Sequence, residues 1–471
     1  MRNADTAESD LLPQTLISLV YEIIQIRETF HNMFQQMLLE HVTPTLDAVK
    51  QLCFKWLHVH PKPELPENQR LNVFYGKNDQ LEAVSPDIVA QILADVLRLA
   101  LSEDELLPLI HGLIEGLLDE VIVSARGTSL ILESLLESRG GEEDIKAQAT
   151  VLVGKLHAKL LLLENEETKQ RTLSAIRVIA GYNPKAVVTS LLADHQLPYD
   201  EAMIGVWKIF AEDTELASVV MSHLIALLIN ASDDWLVDDI QNTTSKKEHE
   251  KNAKHTGLAA VIALGTMFVS REMEPVIEYQ FSDVFVPLLF AMSRYAGVQS
   301  YEKLNVTSFN TSTNPRGASL EKIMPYSEAL KAMKNFLIRK KCTSVSMVLN
   351  EDCTSLSSNE YYEATNSDAY ANVVQAVMEA IIADFPQYLP NVAKYLQPVI
   401  MPKKFALLSD EDARKAMLST VASHRVAASA IFAQLLKSDS DIDTELMDIA
   451  IESLLSTSRD KISLVRVISL K

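Results

Sequence analysis

The sequence predicts an all-α fold: a solenoid of stacked antiparallel helical hairpins joined by long polar inter-helix loops. Three observations predict it. Glycine (13) and proline (17) are scarce in 471 residues, each below the roughly 5–7% usual in soluble proteins, although a sheet-rich chain would need both for its turns. Apolar residues recur at i, i+3, i+4 and i+7, and strand-like alternation is nearly absent from the central part of the chain. The length also exceeds the roughly 250–300 residues at which a single core stops growing, which points to several domains or to a core extended along one axis.

The elements can be justified in order. Residues 1–60 form an N-terminal helical segment of the array. Residues 61–84, with three prolines and Gly76, form an irregular connection. Ser85-Pro86-Asp87 sets a capping hydroxyl before a proline at the first helical position, and Ser102-Glu103-Asp104-Glu105 is a capping box. Behind the box, Leu106, Leu109, Ile110, Leu113, Ile114 and Leu117 form one apolar face. The next helix runs from about Val121 to Arg139 and stops at Gly140-Gly141. Further helices are expected at Glu143–Leu163, Glu166–Ala180, Pro184–Ala193, Tyr199–Ala211 and Asp213–Asn230, with turns short enough to make neighbours antiparallel.

HEAT-like repeats are expected over 85–304, a polar loop over 305–325 and further repeats over 326–471. The polar stretches Ala231–Lys254, Asn305–Leu320 and Asn350–Asp368 read as long loops. Similar segments beginning at Arg126 and Arg171 lie 45 residues apart, and Arg425 and Arg466 lie 41 apart in Ser-His-Arg-Val-Ala and Leu-Val-Arg-Val-Ile settings. A period of about 40–47 with two helices per unit is the HEAT and armadillo range. Asp460, Val465 and Arg466 further resemble a HEAT second helix. The chain ends inside this apolar-periodic pattern, which suggests a truncated form of a longer array.

Composition excludes several functions. The net charge is −20 and the sequence pI about 5.0, so nucleic acid is repelled unless a basic patch intervenes. Arg339-Lys340-Lys341 and Lys246-Lys247 are too short to make a groove. Three cysteines (Cys53, Cys342, Cys353) without a C-x-x-C pair fit a reducing cytosol better than a disulfide or zinc framework. The longest stretches free of Asp, Glu, Lys and Arg, Leu216–Ser232 and Thr256–Ser270, are shorter than a membrane span and read as buried helices. No secretory signal is visible, and the Asn305-Val306-Thr307 sequon is then a chance match.

Candidate chemistry resolves into structure. Gly154-Lys155 lacks the upstream glycine of a phosphate loop, and no Gly-x-Ser-x-Gly elbow occurs. His249-Glu250 lies six residues before His255, whereas a zinc-protease helix needs histidines four apart. His58 and His60 have no further ligand nearby. Asp439, Asp441, Asp443 and Glu445 open like a calcium loop, but Thr444 and Ala450 stand where glycine and glutamate are required. The acidic residues instead suit the N-terminus of a helix beginning near Thr444. Trp207, with Val206 and Phe210, reads as a core stripe. Trp235, inside Asp233-Asp234-Trp235-Leu236-Val237-Asp238-Asp239, reads either as packed onto a neighbouring hairpin or as an interaction motif. No catalytic, cofactor-binding or metal-ligating residue is assigned.

From Leu106 to about Val298 the sequence resembles the maestro heat-like repeat proteins. The residues that carry the likeness are Arg126 to Gly140, Ala186 to Ala193, Leu197-Pro198-Tyr199-Asp200 with Val206-Trp207 behind it, and Pro287 to Val298. The resemblance implies a large cytoplasmic helical-repeat scaffold linked to endolysosomal membranes, with no catalytic residues to carry over. The expectation is therefore a non-enzymatic adaptor for protein partners with basic segments, reaching any lysosomal membrane through a partner and not by direct insertion. The alternative is a karyopherin-like cargo carrier.

Overall fold

The computed structural model describes residues 71–74, 81–84, 90–91, 94, 97–98, 103–119, 122–194, 197–230, 236–238, 251–253, 255–295, 323–342, 367–401, 422–438 and 443–470. It divides into two compact units. One comprises Met1–Leu191 with Glu201–Ile209, the other Leu192–Asp200 with Phe210–Lys471. The division passes within the expected 85–304 stretch and not at the polar loops, because compactness follows which helices pack together and not where the chain is polar.

In the first unit, α1 (Glu103–Gly116) and α2 (Ile122–Arg139) form one hairpin. The short α3 (Glu143–Ala147) with α4 (Ala149–Leu160), and α5 (Glu166–Tyr182), form the next. First helix lies beside first helix, α1 on α4, and second beside second, α2 on α5. All six apolar positions expected to face inward from α1 are buried.

Helix ends follow the local chemistry. Asn165 accepts the Thr168 amide at 3.0 Å to cap α5, with Glu166 and Glu167 in its first turn. Gly140 closes α2 through its amide to the Leu136 carbonyl at 2.8 Å. A Cβ at Gly140 would lie 2.4 Å from that carbonyl oxygen and 2.8 Å from the Tyr182 ring. The glycine therefore both ends its helix and seats the last residue of α5.

The single helix expected over Glu143–Leu163 is broken at Gln148. Its amide is shared between the carbonyls of Asp144 and Ile145, each at 3.1 Å, a tightened turn that leaves both Ile145 and Ala149 buried.

Next come α6 (Pro184–Asp194) and α7 (Glu201–Glu212), within which the two units divide. Met203, Val206 and Trp207 of α7 belong to the first unit and are fully buried, so the tryptophan is a core residue as expected.

The second unit holds α8 (Thr214–Asn230), α9 (His255–Met267), α10 (Met273–Tyr279), α11 (Phe281–Tyr295) and α12 (Pro325–Arg339). These are followed by α13 (Ser367–Asp384), a 3₁₀ turn at Pro386–Tyr388, and α14 (Leu389–Ile400). The last three helices are α15 (Ala422–Lys437), α16 (Thr444–Thr457) and α17 (Ser463–Leu470). Helix α9 packs on α8 and α12, α11 on α12, α14 and α15, and α15 on α13, α16 and α17.

Two close packings organise this core. A Cβ on Gly265 of α9 would lie 3.1 Å from both Cα and Cβ of Ala332 on α12, and Asn335 donates to the Gly265 carbonyl at 2.9 Å. Around Phe281 gather Phe285, Phe336, Phe385 and Tyr388, the tyrosine ring stacked at 4.3 Å.

Among the described residues no single helix is long and apolar enough to cross a membrane. Helices α10 and α11 would qualify only as a pair bent by 91°, and every residue of α11 but Asp283 is buried.

The all-helical expectation needs two local corrections. Leu71–Phe74 (β1) pairs antiparallel with Leu81–Val84 (β2), from Leu71 opposite Val84 to Phe74 opposite Leu81. This ribbon lies within the connection expected to be irregular. The Leu-Asn-Val-Phe alternation followed by a run containing Gly76, Asn78 and Asp79 is the local hairpin signal behind it. Leu236–Asp238 (β3) pairs with Lys251–Ala253 (β4) inside the expected 231–254 loop.

Trp235, His58, His60, His249, Glu250, Cys53, Cys353, Asn305–Leu320 and the Ser85-Pro86-Asp87 start signal lie outside the described residues.

Candidate functional site: joints and outward faces of the hairpins

Of the periodic arginines noted in the sequence, Arg126, Arg171 and Arg425 sit at the joints between hairpins. In the first unit, Arg126 of α2 reaches Glu167 of α5 at 2.9 Å. Arg171, its counterpart 45 residues on, holds the same Glu167 at 3.0 Å and approaches Glu133 at 3.8 Å. Two arginines and two glutamates thus alternate across the α2–α5 contact. On the other side of the layer, Lys159 of α4 binds Glu115 of α1 at 2.6 Å, and Lys155 lies 3.3 Å from Nδ1 of His111. Partial burial, then the Lys155 charge, hold the His111 imidazole below its ordinary value, with Glu115 pulling the other way.

The second unit uses the same device near its end. Arg425 of α15 donates to Asp460 at 2.8 and 3.4 Å, both side chains mostly buried. One oxygen of that carboxylate also accepts the Ile462 amide at 2.8 Å, at the entry to α17. Arg466 turns back on the carbonyls of Asp460 and Lys461, at 2.6 and 3.0 Å. Asp460 therefore fastens α15 to the turn before α17, and Arg466 closes that turn on itself.

The basic run at 339–341 is absorbed within the second unit. Arg339 donates to the carbonyls of Phe268 (3.1 Å) and Val269, closing the C-terminal end of α9. Lys340 lies 3.8 Å from Glu278 and 5.5 Å from the centre of the Tyr388 ring. Lys341 binds Glu274 at 2.7 Å and holds that carboxyl below its ordinary range through hydrogen bond and charge.

Asp443 caps α16 by accepting the Glu445 amide at 3.3 Å, the role expected of the acidic run around it. Gly154 and Lys155 sit inside α4. Among the described residues no group of three or more His, Cys, Asp or Glu is arranged to hold a metal ion.

Three polar contacts had no signal in the sequence. Arg294 donates through Nε to Nε2 of His424 at 2.9 Å, across 130 residues, in a small recess walled by Leu228, Ile229, Pro287 and Phe290. Accepting at Nε2 places the imidazole proton on Nδ1; the ring stacks on Phe290 at 4.2 Å. Burial pushes the neighbouring Tyr295 phenol up. The free space inside the recess is about 10 Å³, room for about one water and far below the roughly 300–1,000 Å³ typical of ligand pockets. Tyr199 donates its hydroxyl to the Ala259 carbonyl at 3.0 Å, and Cys342 lies 3.1 Å from Asp384.

The outward face of α4 differs from these joints. Val151, Leu161 and Leu162 are 48%, 54% and 64% exposed, with Gly154, Lys155 and Ala158 exposed between them.

First helix on first helix, second on second, with Arg–carboxylate pairs across the joints, define a HEAT-type helical repeat protein. Residues 46–221 match the family described as "Maestro, HEAT repeats", so the family recognised from the sequence is the one that the comparisons return. The chain is 24% identical over 372 residues to Maestro heat-like repeat-containing protein family member 1 of Dictyostelium discoideum, covering 79% of this chain and 20% of that protein. The human protein of the same name is 24% identical over 387 residues, 81% of this chain and 21% of its own length. The Bos taurus protein is 25% identical over 247 residues, 52% and 14% respectively. The chain thus spans between about a seventh and a fifth of the length of these relatives. The Leu197-Pro198-Tyr199-Asp200 element, with Trp207, lies inside the matched region.

Proposed function

We propose that this protein is a non-enzymatic scaffold that binds other proteins along its helical hairpins. The observation that carries this reading is the use of its ionic side chains. Arg126, Arg171, Lys159 and Arg425 join one hairpin to the next, so the described ion pairs hold a stack together and leave outward helix faces as contact surface. The net charge of −20 supports partners with basic segments, whose approach quickens at low salt. The same negative charge is unfavourable for direct contact with anionic lipid, so a cytoplasmic protein that reaches an endolysosomal membrane through a partner fits best. Affinity capture of the full chain from cell extract, with quantitative mass spectrometry, should return specific proteins that are depleted with an R126E/R171E variant, in which four carboxylates crowd the α2–α5 joint. Robust hydrolase or transferase turnover by the purified chain, with no protein enriched, would overturn the reading.

A further inference from the structure

We propose that the outward face of α4 docks an amphipathic helix of a partner protein, one whose apolar stripe is interrupted by a carboxylate. The proposal rests on the scaffold reading and gives it a place and a chemistry.

Six residues of α4 point into the first unit: Ala149, Leu152, Val153, Leu156, His157 and Leu160. The opposite face of an ordinary surface helix is polar. Here it presents Val151, Gly154, Lys155, Ala158 and, in the turn that follows, Leu161 and Leu162, all exposed. A Cβ built on Gly154 would meet nothing within 4 Å, so this glycine leaves open surface rather than serving a contact within the unit. Positions 151, 155, 158 and 162 follow one line along the helix, the spacing with which a second helix is gripped.

Charge selects the occupant. The chain has 63 acidic and 43 basic side chains, yet Ala149–Leu162 contains two lysines and no carboxylate. Lys159 is engaged with Glu115. Lys155 meets the His111 nitrogen, and among the described residues no carboxylate lies within ion-pair reach of it. A carboxylate on the incoming helix would complete the position, whereas a basic helix would bring like charges together at partly desolvated surface. This face therefore takes the opposite charge to the one favoured by the protein's overall field.

The test uses the full chain and two fluorescein-labelled peptides of ~18 residues, long enough to form a helix. They share one leucine-alanine stripe and differ in a single Glu or Lys within it. By anisotropy the Glu peptide should bind about tenfold more tightly than the Lys peptide, a difference of ~1.4 kcal/mol. K155E should reverse that preference and K155R preserve it. V151D/L162D should abolish binding of both peptides while the melting temperature and helical circular dichroism stay unchanged, since both positions are exposed.

Equal binding of the two peptides, or indifference to K155E, overturns the proposal. So does binding to phosphatidylserine vesicles that V151D/L162D removes when neither peptide binds, since the face would then be a lipid contact. If the peptides fail but captured proteins are still recovered in amounts untouched by K155E and V151D/L162D, the site falls and the scaffold reading stands. If nothing is captured, that reading falls as well.

Discussion

Among the described residues, Lys341 is where the backbone departs most from what its side chain favours. It follows α12 with φ 61°, while the Cys342 amide closes on the Leu337 carbonyl at 3.0 Å, a helix ending that glycine usually supplies. The left-handed conformation costs a residue bearing a Cβ roughly 1–2 kcal/mol. K341G should therefore raise stability by about 1 kcal/mol in chemical denaturation. The ion pair to Glu274 is exposed and its loss should offset little of this. K341A, which keeps the Cβ and loses the ion pair, should show no such gain.

His111 carries a pH signature of definite sign. Its folded-state value lies below the ordinary histidine value near 6.5. The unfolded chain therefore takes up its proton first as pH falls. The stability that the neutral ring contributes is complete above about pH 6.5 and declines as pH drops through the folded value. Denaturation from pH 7.5 to 5.5 should show H111Q with a shallower loss than the parent, the difference being small because the ring is only half-buried. A steeper loss in H111Q would contradict the assignment.

At the scale of the element, the contact of α9 with α12 leaves no room at Gly265. Valine there would drive its branched side chain into Ala332, whose Cα and Cβ already stand 3.1 Å from where a Cβ would lie. G265V should cost about 1–3 kcal/mol in urea denaturation, and A332G in the same chain should recover part of it. Much about the elements was legible beforehand. The boundaries of α2 and α5–α8 fall within a residue or two of expectation because Gly140-Gly141, Asn165 and Asp213 state them locally. Asp213 accepts the amides of Glu215 and Leu216, both at 3.1 Å, as a helix cap should. The break at Gln148 was not legible, since glutamine is a good helix former and tertiary packing decides the bend. Neither was the β3–β4 ribbon, whose two short strands are separated by a polar run that sets no pairing by itself.

At the scale of the whole molecule, the sequence periods announced hairpins but not their joints. The 45- and 41-residue spacings of Arg126 with Arg171 and of Arg425 with Arg466 were visible. Their carboxylate partners were not, because Glu167 and Asp460 look like any acidic residue near a helix start. Arg294 and His424 meet across 130 residues and leave no local trace. The outward stripe of α4 was legible only as helix, since exposure depends on which neighbour covers which side. A double-mutant cycle on Arg425 and Asp460 should give a coupling of about 1.5–3 kcal/mol, as expected of a mostly buried charge-assisted pair. The same cycle on Arg126 and Glu167, where the glutamate is 41% exposed, should give at most about 1 kcal/mol.

Because Asp460 accepts the Arg425 guanidinium on both of its oxygens and, on one of them, also the Ile462 amide just ahead of α17, that helix does not set its own beginning. Its phase is dictated from outside, by an arginine 35 residues upstream. An asparagine at this position could still mark the start, yet it would have lost the lever that aims it. The final segment should then fray independently while the body of the protein stays intact, which amide hydrogen exchange of D460N would reveal as protection lost from residues 463–470 alone.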